Sequence, residues 1–201
     1  MTFLRSLIFL VFAVQAVAQH VEPDSAFIAF QEKINSEFKD PAESPLPKEE
    51  REQFAGLEFF SFDPAFKVTA EFLRTPNEVP FAMPTTSEKM KMYVKYGELY
   101  FNLKGKEFKL NVYQSLSLSQ TEEYKDYLFL PFTDLTNGEA TYSGGRYLDM
   151  TIPTEKYIEL DFNKAYNPYC AYSGGYSCPI PPKENHLEIA VNAGVKTYKK
   201  S

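Results

Sequence analysis

The sequence contains no tryptophan, only two histidines and only two cysteines in 201 residues. Each scarcity narrows the chemistry available. The cysteine pair could form a zinc site only with His186 and Asp161 as further ligands, and that spacing matches no standard zinc pattern. We therefore expect no metal and no cofactor. No G-x-S-x-G motif occurs, so a nucleophilic triad would have to be improvised from His186, Ser143 or Ser173, and a carboxylate such as Asp161. Positive charge is also short, with 21 Lys and Arg against 27 Asp and Glu, a net charge of −6. An acidic chain repels phosphate backbones and anionic lipid, which argues against nucleic acid and membrane surfaces as partners.

Long apolar runs are missing everywhere but at the start. Residues 1–18 have the form of a secretory signal peptide. Arg5 supplies the positive n-region, Ser6 to Val14 the apolar stretch, and Ala16-Val17-Ala18 the small-x-small site, with cleavage expected between Ala18 and Gln19. No cysteine follows that cut, so no lipid anchor is expected there. No other segment approaches the roughly 18 apolar residues of a membrane span. The expected mature chain, residues 19–201, is one secreted or periplasmic domain with 20 basic and 27 acidic residues.

What is abundant is phenylalanine and tyrosine, 16% of the chain together. These residues suit a pleated, half-buried surface and lean the fold towards β. One helix is predicted first: Asp24 or Ser25 caps it, Phe27, Phe30, Ile34 and Phe38 form its apolar stripe, and Asp40-Pro41 ends it. Lys48 to Glu52 reads as a solvated helical turn. Leu57 to Phe62 and Phe66 to Arg74 read as a hairpin around Asp63-Pro64-Ala65. Val79 to Met83 reads as an edge strand because of Pro80. Further strands are predicted around Met90 to Tyr96, Leu99 to Leu103 and Phe108 to Val112, with Gly97-Glu98 and Lys104-Gly105-Lys106 as turns. Gln114 to Asp126 is a loop or short helix. Tyr127 to Phe132, Ala140 to Tyr142, Tyr147 to Ile152, Tyr157 to Phe162 and Leu187 to Val191 complete the set. The expected fold is mainly β: a single antiparallel β-barrel or two-sheet sandwich with an N-terminal amphipathic helix and a long disulfide-tied loop. Tyr-Ser-Gly-Gly occurs at 142–145 and again at 172–175, which predicts two tight turns rather than a repeat architecture.

The loop is the stretch DFNKAYNPYCAYSGGYSCPIPPKEN, Asp161 to Asn185. Cys170 and Cys178 enclose seven residues. Behind an export signal the default is a disulfide, worth roughly 2–3 kcal/mol on the chain-entropy estimate. A redox-active pair or a metal site are the other readings. Asn163, Asn167 and Asn185 are placed to tie loop backbone through buried amides. Tyr166, Tyr169, Tyr172 and Tyr176 form either an aromatic wall for a ligand or a cover over the scaffold. Pro179-Ile180-Pro181-Pro182 should run extended, with room for one cis bond. Upstream, Arg146 is one of three arginines after residue 18. Its planar fork suits a carboxylate or a hydroxyl pair. It either binds a ligand or pairs internally with Glu139 or Asp161. Glu139, Asp149 and Asp161 are the carboxylates of note, and two of them facing one cleft could also perform glycoside hydrolysis.

The segments LFLPFTDLTNGEATYSGGRYLD (Leu128 to Asp149), LDFNKAYNPYCAYSGGYSCPIPPKENHL (Leu160 to Leu187) and NAG (Asn192 to Gly194) resemble the family catalogued as domain of unknown function 1684. The stretch SPLPKEEREQFAGLEFF (Ser44 to Phe60) is similar to the opening of the same family, so the likeness spans most of the chain. One departure is Val195, where the family pattern has Glu. The resemblance supplies no reaction. It implies a signature at Glu139, Thr141, Tyr142, Gly145, Arg146, Asp161, Asn163, Tyr166, Asn167, Pro168, Cys170, Cys178, Pro179 and Asn185, and so a site at one end of the β-scaffold. The function expected from residues and resemblance together is a binding module for a small polar ligand, a sugar or peptide fragment. Its candidate contacts are Glu139, Tyr142, Arg146, Asp161, Asn163, Tyr166, Asn167 and Asn185. The alternatives are a hydrolase using Glu139 or Asp161 with Arg146, and a structural or assembly protein facing an envelope partner.

Overall fold

The computed structural model describes residues 22–199. The signal peptide expected over residues 1–18, its cleavage site and His20 lie outside the described residues. Among those described, no helix is long and apolar enough to cross a membrane.

Helix α1, Ser25–Lys39, begins where Asp24 accepts the amide hydrogen of Phe27 at 2.7 Å and stops at Asp40, before Pro41. Its buried residues are Phe27, Ile34 and Phe38, the expected stripe. A one-turn helix, α2, follows at Lys48–Glu52 and buries nothing. The strands are β1 Lys67–Arg74, β2 Phe81–Met83, β3 Lys91–Leu103, β4 Lys106–Ser115, β5 Tyr127–Asp134, β6 Arg146–Thr151, β7 Tyr157–Asp161 and β8 His186–Leu187. They form one eight-stranded sheet in the order β6-β5-β4-β3-β1-β7, with β2 added to β3 and β8 added to β5. Every pairing is antiparallel except the short parallel contact of β8 with β5. The sheet curls into a half-barrel. That resolves the choice between barrel and sandwich in favour of a single curled sheet.

The curl wraps the main core. Ala70, Leu99, Leu110, Val112, Leu128, Leu130, Phe132, Leu148, Leu160 and Phe162 meet inside it. The two-residue period of the strands sends the alternate side chains to the other face. There Met83, Tyr93, Tyr113, Phe129 and Tyr147 form a second, aromatic cluster with Tyr127 and Tyr166 against it.

The structure departs from the expected strands in ways that bear on the site. Leu57 to Phe62 does not pair with β1; it runs beside the C-terminal segment through a single bridge from Phe59 to Val195. Its apolar residues do not alternate, so no strand face is defined. Gly97-Glu98 is not a turn but a bulge inside the 13-residue β3, where the register against β4 shifts between Lys95 and Gly97. The extra residue flips the face of the odd-numbered positions. Tyr93 therefore belongs to the aromatic cluster and Leu99 to the main core. Glycine is required there because a Cβ at position 97 would lie 2.4 Å from the Phe72 ring. Ala140 to Tyr142 is a turn rather than a strand, and Leu187 to Val191 pairs only at its first residue. The peptide bonds of the described residues are all trans, including those around Pro181 and Pro182.

Candidate functional site

Arg146 heads β6, and strand alternation places it with Leu148 on the core side. Its side chain has 0% exposure and pairs with the equally buried Asp134 at 2.8 Å. It also donates to the backbone carbonyls of Val191, at 2.8 Å, and Ala193. Asp134 in turn accepts from Thr136 and from the Val191 amide. The guanidinium staples β5 and β6 to the C-terminal segment. The internal pair is thus real, but its partner is Asp134 rather than Glu139 or Asp161.

Those two carboxylates lie elsewhere. Glu139 is exposed in the turn after β5. Asp161 is buried at the end of β7, where Oδ1 accepts the amide of Asn163 at 3.0 Å and its Nδ2 at 2.9 Å. Neither carboxylate lines the cleft described below, nor does Arg146. The grouping of Glu139, Asp161 and Arg146 into one acidic site is therefore corrected: Glu139 sits in an exposed turn, Asp161 at the end of β7 and Arg146 in the core at the start of β6.

The loop is held from beneath by its asparagines, as expected. Asn163 exchanges hydrogen bonds with the backbone of Asp63, at 3.1 and 3.0 Å. Asn167 donates to the carbonyl of Lys196 at 2.8 Å. Asn185, wholly buried, accepts from the Asn111 amide at 2.9 Å and donates to the carbonyls of Asn111 and Pro131 at 2.8 and 2.7 Å. Cys170 and Cys178 are joined in a disulfide. Tyr172 is buried edge-on against Phe38 of α1, with ring centres 4.6 Å apart. Tyr147 donates its hydroxyl hydrogen to the carbonyl of Pro179. Tyr166 makes a two-way backbone bridge to Tyr147, at 2.9 and 3.0 Å, which lays the loop along the free edge of β6. The second Tyr-Ser-Gly-Gly stretch, with Tyr142, borders a small hollow beside the disulfide.

Between this loop, α1 and the aromatic face of β5 and β6 lies a cleft of about 530 Å³. Its floor comes from alternation. Leu128, Leu130 and Leu148 turn inward, so Tyr127, Phe129, Tyr147 and Asp149 turn outward, with Phe129 directly opposite Asp149 across the ladder. Phe30, Ile34 and Glu37 of α1 form one wall, and Tyr166, Tyr169, Tyr176 and Pro179 of the loop form another. The expected aromatic wall therefore exists in three of its four tyrosines, with Tyr172 used for packing instead.

One carboxylate oxygen organises the floor. Asp149 Oδ1 accepts the hydroxyl hydrogens of Tyr127 and Tyr166, each at 2.6 Å. Asp149 itself remains exposed. Burial, and then the Asp149 charge, push the Tyr127 and Tyr166 hydroxyls well above the ordinary tyrosine range. Burial also raises the Tyr147 hydroxyl, and pushes Tyr93 up to about 12. All four phenols are therefore held in the neutral form, and those of Tyr127, Tyr147 and Tyr166 direct their hydrogens to named acceptors. Tyr127, Tyr147 and Asp149 are the functional candidates that the motif reading did not single out as contacts. Counting parity along RYLD would have found them, because Tyr147 and Asp149 must face away from the side that Arg146 and Leu148 share.

A family model described as a protein of unknown function (DUF1684) matches residues 52–196. The chain belongs to this family. The matched DUF1684 region holds the floor and the loop wall of the cleft; α1, which supplies the opposite wall, precedes it. Among solved structures, the chain is similar to an uncharacterised protein from gene locus rrnAC0354 of Haloarcula marismortui, determined by solution NMR. The two are 35% identical, with a TM-score of 0.67 over 86% of this chain and 93% of that one. No curated protein matches the chain.

Proposed function

We propose that the protein is an exported binding module that takes a small polar ligand into the Asp149 cleft. The observation that carries this reading is the exposed carboxylate on a floor of tyrosines whose hydroxyls are already oriented by it. A cleft of about 530 Å³ is of the size that encloses a small molecule, with aromatic walls and few placed polar groups. The loop is tied by a disulfide and by buried asparagines, so little ordering would oppose binding. Export is supported by the signal-like N-terminus and by the cysteine pairing, which suits an oxidising compartment.

A thermal-shift screen against sugars, amines, amino acids and short peptides tests the reading. A ligand present at a hundred times its Kd is expected to raise the Tm by about 5–10 °C. Asp149→Ala is expected to abolish that rise, and also to lower the unliganded Tm by several degrees, because the Tyr127 and Tyr166 hydroxyls lose their acceptor. A ligand that stabilises wild type and Asp149→Ala equally would place the site elsewhere.

A further inference from the structure

We infer that the cleft selects a small organic cation bearing N–H bonds, a primary ammonium or a guanidinium. This rests on the cleft being the binding site and adds the chemistry of what enters it.

The argument begins with protons. A tyrosine hydroxyl has a single hydrogen to donate and keeps lone pairs to accept with. Tyr127 and Tyr166 both direct theirs to Asp149 Oδ1, and Tyr147 directs its own to the Pro179 carbonyl. All three floor hydroxyls have thus used their hydrogens within the protein. What remains on the floor is Asp149 Oδ2 and hydroxyl lone pairs, all acceptors. Whatever binds at Asp149 must bring the donors, although elsewhere in the lining Lys91 and the Tyr93 hydroxyl can donate. A carboxylate or phosphate brings none and meets a negative charge instead.

Charge separates the remaining donors. The cleft is lined by Asp149, Glu37 and Glu43 against Lys33 and Lys91. Lys33 is already engaged by Glu37 at 3.7 Å. A neutral hydroxyl could satisfy Oδ2 geometrically but would leave the excess negative charge uncompensated. A cation answers the charge, supplies the hydrogens and is attracted to the ring faces of Tyr124, Tyr127, Tyr166 and Tyr169.

Matched probe pairs that differ only at nitrogen isolate this claim: glucosamine with N-acetylglucosamine, and tyramine with N-acetyltyramine. Each is titrated into the full protein and followed by two-dimensional NMR of the backbone amides of 127–134, 146–151 and 166–179. In at least one pair the amine is expected to shift these amides with about tenfold or greater preference over its acetylated partner. Asp149→Asn is expected to bring the two members of the pair within about twofold of each other, and Glu37→Gln to narrow the gap partially. Binding in which no amine outdoes its acetylated partner overturns the cationic selection and leaves the cleft as a binding site. A panel in which no probe moves these amides overturns both.

Discussion

Arg146→Ala is expected to destabilise the protein by about 3–5 kcal/mol, the usual result of removing one member of a buried ion pair. The guanidinium has no exposed surface and its partner Asp134 has none either. Truncation leaves a buried carboxylate facing an empty space, and frees the carbonyls of Val191 and Ala193 from their donors. Urea unfolding followed by circular dichroism would register the loss as a lowered midpoint at unchanged slope. The double variant Arg146→Met with Asp134→Leu should recover only part of it. Apolar isosteres often replace a buried pair at little cost. Here, however, Asp134 Oδ1 also receives the amides of Thr136 and Val191, and those donors would be orphaned. A cost below about 1 kcal/mol for Arg146→Ala would mean the side chain is solvated.

Asn185→Ala is expected to cost about 3 kcal/mol or more, since each buried polar group left without a partner costs about 1–3 kcal/mol. One wholly buried amide serves three backbone groups, the N–H and carbonyl of Asn111 in β4 and the carbonyl of Pro131 in β5. These two strands share only a short register, centred on Tyr113 and Phe129. Asn185 fills the gap in the ladder where the sheet curls away. Asn185→Asp is the sharper variant. It preserves shape but turns the Nδ2 donor into a carboxylate oxygen facing two carbonyls, so it should be less stable than alanine above pH about 4. The same denaturation experiment ranks the two. Equal stability of the aspartate variant and wild type would mean that the amide does not bridge the strands.

Much of this architecture is legible in the amino-acid sequence. The helix stripe of Phe27, Ile34 and Phe38, the Lys104-Gly105 hairpin and the disulfide follow from chemistry that acts over a few residues, whereas the loop asparagines are legible from residue type although their partners lie far away in the chain. The family resemblance is likewise borne out over residues 52–196. The site was harder to read, for two physical reasons. Facing is a property of parity, and parity is lost wherever a bulge intervenes. The bulge before Gly97 moves Tyr93 and Leu99 to opposite sides of the sheet although both sit at odd positions of one strand. In addition, a rare arginine attracts a ligand-binding interpretation, whereas its hydrogen-bond partners among the described residues are a buried aspartate and two carbonyls. The aspartate two strand positions beyond Tyr147 is ordinary in sequence. It becomes distinctive only when Tyr166, seventeen residues later, is folded back onto it.

The central claim is that Asp149 is gripped by the phenols of two half-buried tyrosines, Tyr127 and Tyr166, and tyrosine ring carbon NMR measures this directly. In protein labelled at the tyrosine Cζ position, resonances of Tyr127 and Tyr166 are followed as the pH rises through the ordinary phenol value of 10. Both should hold the chemical shift of the neutral phenol at pH about 11, where an ordinary tyrosine is mostly ionised. Because their folded-state values are raised, the stability they contribute is intact below pH 10 and declines above it, as tyrosines of the unfolded chain lose protons that the folded chain retains. If both resonances instead titrate near 10, the hydroxyls are in water, Asp149 is ungripped, and the cleft floor described above does not exist.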